Sequence, residues 1–174
     1  SEEAMYDEMA EIMADTVKKN GEKRTVIICP VGPTGQYPKF AEIVNRERIS
    51  LKNSVFINMD EYLGDDGKAI DYDNVLSFHK IMDEMLYSRI DKELSMPEDQ
   101  RLFPEPGHEE EIDRFIDETE VDLCLTGVGI NGHIAFNEPP EDGITDSEYK
   151  CIGTRGLDIS KETVTNNGAN KLKG

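Results

Sequence analysis

Apolar residues recur at helical spacing along the first twenty positions. Met5, Met9, Ile12, Met13 and Val17 share one face, which predicts an amphipathic helix over residues 2–19, ended by Asn20-Gly21. The period then changes. Thr25-Val26-Ile27-Ile28-Cys29 is a short, continuous, β-branched run, the pattern of a strand buried on both faces of a parallel sheet. A Pro/Gly loop leads into a helix from about Tyr37 to Asn45, and Ser54 to Met59 forms the second strand, ending at Asp60-Glu61-Tyr62. Residues 63–74 are polar and rich in Gly and Asp, hence loop. Leu76, Met82, Met85, Leu86 and Ile90 mark one face of a helix from Val75 to Leu94.

Pro97, Pro104, Pro106 and Gly107 predict irregular chain over 95–107. Ile112, Phe115 and Ile116 predict a short helix from His108 to Thr119, and Val121-Asp122-Leu123-Cys124-Leu125 reads as the third strand. Residues 140–149 read as loop and Tyr149 to Thr154 as a fourth strand. From Thr163 onward there is neither periodicity nor an apolar anchor, the pattern of a lid segment or an unfinished edge. Helices alternating with short apolar strands define an α/β chain: a three-layer, Rossmann-like, mostly parallel sheet with helices on both faces. No internal repeat or linker divides it, so residues 1–174 read as a single domain.

The charge balance narrows the choice of partner. Against 19 Lys and Arg stand 37 Asp and Glu, a formal net charge of −18. That excludes nucleic acid and an anionic membrane, which need clustered cations, and its simplest role is solubility. A phosphorylated ligand would need local donors against an unfavourable general field. No apolar stretch approaches membrane-spanning length. Cys29, Cys124 and Cys151 have neither zinc-ligand nor redox spacing. An odd number of thiols, two of them in apolar runs that look buried, fits a reducing compartment. With no basic and apolar signal at Ser1-Glu2-Glu3-Ala4-Met5, the expectation is a cytoplasmic protein.

Candidate chemistry gathers in three loops at strand ends, where open parallel sheets bind ligands. In Val31-Gly32-Pro33-Thr34-Gly35-Gln36-Tyr37-Pro38, glycine frees backbone N–H groups to face an anion at a helix start, and Thr34 adds a hydroxyl. Thr34, Gly35 and Gln36 are therefore candidate substrate-binding residues, although the glycine spacing matches neither the nucleotide nor the dinucleotide pattern. The simpler alternative is a tight turn with a Pro38 helix start. At Asn58-Met59-Asp60-Glu61-Tyr62, one carboxylate suits a half-buried general base and its neighbour a solvated acid; a plain loop-start acid is the alternative.

The third loop is the densest. Gly127-Val128-Gly129-Ile130-Asn131-Gly132-His133-Ile134-Ala135-Phe136-Asn137-Glu138-Pro139 sets a histidine, a carboxylate and an amide close together. His133 can move a proton near neutral pH, Glu138 can orient it or share its proton, and Asn131 can hold either. Gly129 and Gly132 let the backbone approach a ligand. A histidine in a glycine turn without function is the alternative, and metal binding lacks a second His at ligand spacing. His79 and His108 fall in or beside other predicted helices.

Pro33-Thr34-Gly35, Asn58-Met59-Asp60-Glu61-Tyr62 and Gly129 through Pro139 together resemble the glucosamine-6-phosphate deaminase (isomerase) family of the sugar-phosphate isomerase superfamily. Their order and separations match, over most of residues 5–165, and the ending Ala135-Phe136-Asn137-Glu138-Pro139 looks like the deaminases rather than the related 6-phosphogluconolactonases. The resemblance implies a hydrolase/isomerase of amino-sugar metabolism, as in N-acetylglucosamine catabolism. It would convert glucosamine 6-phosphate and water to fructose 6-phosphate and ammonia without metal or organic cofactor. It implies Asp60 as the base that shuttles the C2 proton, His133 as the ring-opening residue, Glu138 with Asn131 as its support, and Thr34-Gly35 as the phosphate loop. Its partner is a small phosphosugar, and a homo-oligomer is compatible with it.

The chain departs from the family pattern at three points. Asn131 stands where many members carry Asp, Gln36-Tyr37 where a small residue precedes the proline, and Asn167-Gly168-Ala169 lacks the lid arginine, with Arg155 and Lys161 as nearby cations. The family also continues past this point with a phosphate-binding lysine, and begins with an earlier strand, so the resemblance implies a chain truncated at its C-terminus. An isomerase, deaminase or lactonase for another phosphosugar such as galactosamine 6-phosphate, and a non-catalytic sugar-phosphate sensor, are the competing readings.

Overall fold

Two strands of five residues form the centre of the sheet. In the computed structural model, which describes residues 1–140 and 143–171, β1 (Thr25–Cys29) runs parallel to β2 (Ser54–Asn58), with Thr25 opposite Ser54 and Cys29 opposite Asn58. Two short strands complete it: β3 (Arg101–Leu102) beside β2 and β4 (Leu123–Cys124) beside β1, giving the all-parallel order β3-β2-β1-β4. The Asp122 carboxylate accepts from the Val26 N–H at 2.8 Å and extends the grip of β4 on β1.

Side chains of a strand alternate between faces, and here both faces are covered. Ile27, Cys29 and Phe56 face one core with the helices α1 (Glu2–Asn20), α2 (Gln36–Glu47) and α3 (Phe78–Met85). Val26, Val55 and Ile57 face the other, against Ile112, Phe115 and Ile116 of α4 (Glu109–Glu118). This is the three-layer α/β arrangement the sequence pattern predicts. α1 forms as expected: the Ser1 hydroxyl caps the Ala4 N–H at 3.3 Å, acids open the helix and lysines close it, and Ala10, Met13, Ala14 and Val17 are buried.

Several expectations need correction. The helix predicted over Val75 to Leu94 is only α3, because the backbone turns at Leu86 and continues as a short 3-10 turn, Tyr87–Arg89. The Asn45 side chain bonds the Arg89 carbonyl (2.8 Å) and the Asp91 N–H (2.9 Å), and this tie to α2 outweighs the helical periodicity. The Pro-rich stretch 95–107 contains β3, a strand too short to leave a pattern.

Tyr149 to Thr154 is not a strand. Thr145 and Glu148 form a reciprocal capping box that starts the short helix α5 (Asp146–Lys150), and Asp113 of α4 then holds Thr154 by its N–H and hydroxyl. The segment from Thr163 lies in a sixth helix, α6 (Lys161–Lys171); Leu172 to Gly174, and Glu141 and Asp142 of the preceding loop, lie outside the described residues. Of the cysteines only Cys29 is buried, and burial pushes its thiol up; Cys124 and Cys151 are exposed. Among the described residues no helix is long and apolar enough to cross a membrane.

Candidate active site

β1 is the point where the winding of the sheet reverses: β2 and β3 lie to one side of it and β4 to the other. Loops leaving the carboxyl ends of β1 and β4 therefore diverge, and such a crevice is where open α/β sheets bind ligands. A cavity of about 470 Å³ occupies it, lined from β1 by Pro30, Val31 and Gly32, from β2 by Met59, Asp60 and Tyr62, and from β4 by Gly127 to Ile130 and His133. Phe78 of α3, Phe136, and Asn166 and Asn167 of α6 close it. Tyr62, Phe78 and Phe136 pack with ring centroids 5.0–5.8 Å apart as an apolar wall, and Asn167 Nδ2 donates to the Tyr62 hydroxyl at 2.8 Å, fastening α6 across the mouth.

The β4 loop is shaped by close approach. A Cβ on Gly127 would lie 2.4 Å from the Gly32 carbonyl oxygen, so glycine is what lets the β1 and β4 loops touch. A Cβ on Gly129 would lie 2.0 Å from His133 Nε2. The Gly129 N–H donates to the His133 carbonyl (2.8 Å) and the Gly132 N–H to the Gly129 carbonyl (3.0 Å), folding the histidine ring back over Gly129. Ala135 is held at φ +55°, a conformation non-glycine residues rarely adopt, beside the cavity it lines.

Asn131, His133 and Glu138 come together as the sequence predicts. His133 Nδ1 lies 2.7 Å from Asn131 Oδ1, and Asn131 Nδ2 donates to Glu138 Oε2. The His133 and Glu138 side chains retain only 14% and 16% of their exposure, with Nδ1 3.7 Å from Oε2. A carboxylate only accepts, so it fixes the amide: Nδ2 toward Glu138 and Oδ1 toward His133. Asn131 Oδ1 must then receive a hydrogen, which makes Nδ1 the protonated nitrogen of the neutral ring and leaves Nε2 as the base. Burial alone would raise the Glu138 carboxyl. Donors from Asn131, Thr163 and the Ser160 N–H, together with His133, outweigh burial and lower it to about 2.

Other sequence candidates land elsewhere. Thr34, Gly35 and Gln36 do not line the cavity; Gly32 represents their loop there. Gly35 packs under Tyr6, where a Cβ would lie 2.4 Å from the ring, and Gln36 is buried with Nε2 on the Pro33 carbonyl at 3.0 Å. Tyr37, which stands in place of a small residue, is buried, with its hydroxyl on the Pro30 carbonyl. Gly132 makes the turn at φ +89° without lining the cavity.

Glu61 is no solvated neighbour of Asp60. Its carboxylate accepts from the N–H groups of Tyr62 (2.8 Å), Phe78 (3.1 Å) and His79 (2.9 Å), capping α3. His79 stacks on Phe103 and His108 pairs with Glu111, both away from the cavity. Arg155 and Lys161 are exposed, and neither lines it. Among the described residues no cluster of His, Cys, Asp and Glu is arranged to hold a metal ion.

Sequence reasoning missed Ser160 and Thr163. Thr163 is fully buried, and its hydroxyl donates to Glu138 Oε1 at 2.7 Å; the Ser160 N–H donates to the same oxygen at 3.0 Å. A signal was present: Ser160 caps α6, accepting from the Thr163 N–H at 3.2 Å, and a serine before a polar segment is a helix-start mark.

The fold and site define a Rossmann-like α/β protein with an acid–base cluster at the switch point of its sheet. In both sequence and backbone it resembles the glucosamine-6-phosphate deaminases. It is 30% identical over 164 residues to the enzyme of Thermoanaerobacter sp. (strain X514), covering 90% of this chain and 62% of that relative. To the glucosamine-6-phosphate deaminase of Mycoplasma mycoides subsp. mycoides SC it is 28% identical over 169 residues, 96% of this chain and 64% of the relative. The chain thus spans less than two thirds of the length of these relatives. Its backbone matches the solved structure of a monomeric glucosamine-6-phosphate deaminase with a TM-score of 0.80, at 24% identity, over 98% of this chain and 67% of the other. No family model matches.

Proposed function

We propose that this chain carries the acid–base site of a glucosamine-6-phosphate deaminase, which turns glucosamine 6-phosphate and water into fructose 6-phosphate and ammonia. The observation that carries the reading is that Asp60 and His133, from loops after different strands, line one cavity while Glu138 and Asn131 back the histidine. The named relatives act in the same sense, and the chemistry needs two such centres.

His133 Nε2 takes the proton from the anomeric hydroxyl and returns it to the ring oxygen, opening the pyranose. Asp60 removes the C2 proton from the open-chain aldehyde as the carbonyl oxygen takes up a proton, giving the enolamine. It then delivers its proton to C1 as the amine gives one up, which moves the carbonyl oxidation level to C2 as a ketimine. Water adds at C2, ammonia leaves, and the C2 ketone remains. Glu138, ionised across the physiological range, steadies the imidazolium that forms when His133 takes up its proton. This reading assigns the phosphate to the Gly32 side of the cavity, ahead of the N-terminus of α2. The same reading carries a cytoplasmic location, supported by cysteines that stand free of disulfides.

The test is a coupled measurement of ammonia and fructose 6-phosphate on the purified protein given glucosamine 6-phosphate. Stoichiometric appearance of both is expected. Tight sugar binding without either product would favour the sensor, and turnover confined to galactosamine 6-phosphate would move the assignment to that sugar.

A further inference from the structure

The hydrogens around Glu138 can be counted one by one, and the count gives Thr163 a role. Asn131 Nδ2 has two hydrogens: one goes to Glu138 Oε2 and the other to Ser160 Oγ at 3.3 Å. Ser160 Oγ also accepts from the Thr163 N–H (3.2 Å), so its lone pairs are used and its own hydrogen goes to Thr163 Oγ1 at 3.0 Å. Thr163 Oγ1, having accepted that hydrogen, passes its own to Glu138 Oε1 at 2.7 Å, and it lies 3.3 Å from His133 Nδ1. Each donor in the chain points the same way, toward the carboxylate. Such directed chains strengthen their members in a low-dielectric site.

We infer that Thr163 is a positioning residue for this reaction: by closing the donor chain from α6 onto Glu138 it keeps that carboxylate ionised behind His133, so the acid–base pair is complete only with α6 docked. The inference rests on the deaminase reading for its kinetic part alone. Among the described residues the titratable group facing the Glu138 carboxylate is His133, at 3.7 Å on the same loop. α6 faces it with the neutral Ser160 and Thr163, and α5 meets Glu138 through Tyr149, whose hydroxyl bonds the backbone carbonyl at 2.7 Å. Removing the Thr163 hydroxyl therefore takes away a donor without adding a charge.

The experiment compares wild type with Thr163→Val, which keeps the shape, and Thr163→Ser, which keeps the hydroxyl. The valine variant should lose roughly tenfold to a hundredfold in kcat with KM within about twofold, the size expected from one hydrogen bond to a charged group. The midpoint of the Glu138 carboxyl carbon, followed by NMR without substrate, should move up by about one pH unit. The serine variant should restore both. A serine variant as impaired as the valine one, with both folded, would make the effect one of packing and overturn the proposal, as would an unmoved Glu138 midpoint in Thr163→Val. If wild type releases no ammonia, the deaminase reading fails while the NMR midpoint still decides the role of Thr163.

Discussion

The Nδ1 of His133 lies 2.7 Å from the Oδ1 of Asn131, whose other end donates to Glu138. An amide thus stands between a histidine and a carboxylate that are themselves 3.7 Å apart. It sets the tautomer of one and the ionisation of the other, without the negative charge an aspartate would add. Asn131→Ala strips a donor from Glu138 and an acceptor from His133 in a mostly buried cluster. We expect it to lower thermal stability by about 1–3 kcal/mol, the penalty for leaving such groups unpaired. Turnover should fall by about 10²-fold or more as the imidazole loses its fixed tautomer. Differential scanning calorimetry and ammonia release check the two halves separately.

Gly129 offers a sharper steric test. An alanine there brings its methyl within 2.0 Å of His133 Nε2, the nitrogen left for chemistry, so the ring must swing away or the loop must move. Gly129→Ala should fold, at a cost of about 1–3 kcal/mol for overpacking. It should also lose most of its activity with closed-ring substrate. Retention of more than half the wild-type kcat would mean that the His133 ring does not act from this position.

The low pKa of Glu138 fixes a pH dependence. A carboxyl held at about 2 in the folded protein, against its ordinary 4.5, stabilises the fold fully above the ordinary value. That contribution fades as pH falls from about 4.5 toward 2, because the unfolded chain takes up the proton first. Glu138→Gln should therefore be less stable than wild type at pH 7, with the gap narrowing through this acid window. Urea midpoints of the two proteins from pH 7 to pH 3 give the comparison; a gap that is constant with pH would place the loss in packing rather than in the charge.

Much of this was legible in the chain because the signals were local. The runs at Thr25 and Ser54 bury both faces of a parallel strand and so are apolar without a break, and Asn131, His133 and Glu138 stand within one loop whose glycines advertise it. What escaped depended on partners distant in sequence. Thr163 is buried only because α6 folds back onto Glu138, so a lone threonine in a polar segment gave no hint of it. Leu102 pairs with Ile57 in two residues of strand, too few to show an alternation. Gln36 looked like a ligand contact because it follows the glycine loop, yet it and Tyr37 both turn inward to hold carbonyls of their own loop.

Asp60 and Glu61 are adjacent carboxylates with opposite tasks, and substitution should separate them. Glu61 accepts from two backbone N–H groups at the start of α3 and from that of its neighbour Tyr62, and has no place in the cavity lining, whereas Asp60 lines the cavity. Glu61→Gln leaves acceptor oxygen but removes the charge from the helix end, so we expect about 1 kcal/mol of destabilisation and activity within a few-fold of wild type at 25 °C. Asp60→Asn should leave stability nearly unchanged and depress turnover by about 10²–10⁴-fold, the usual share of a general base. In deuterium oxide its exchange of the C2 hydrogen should vanish while sugar binding persists. If instead Asp60→Asn exchanged that hydrogen at the wild-type rate, the base would have to be another group, and the shared cavity of Asp60 and His133 would carry recognition rather than proton transfer.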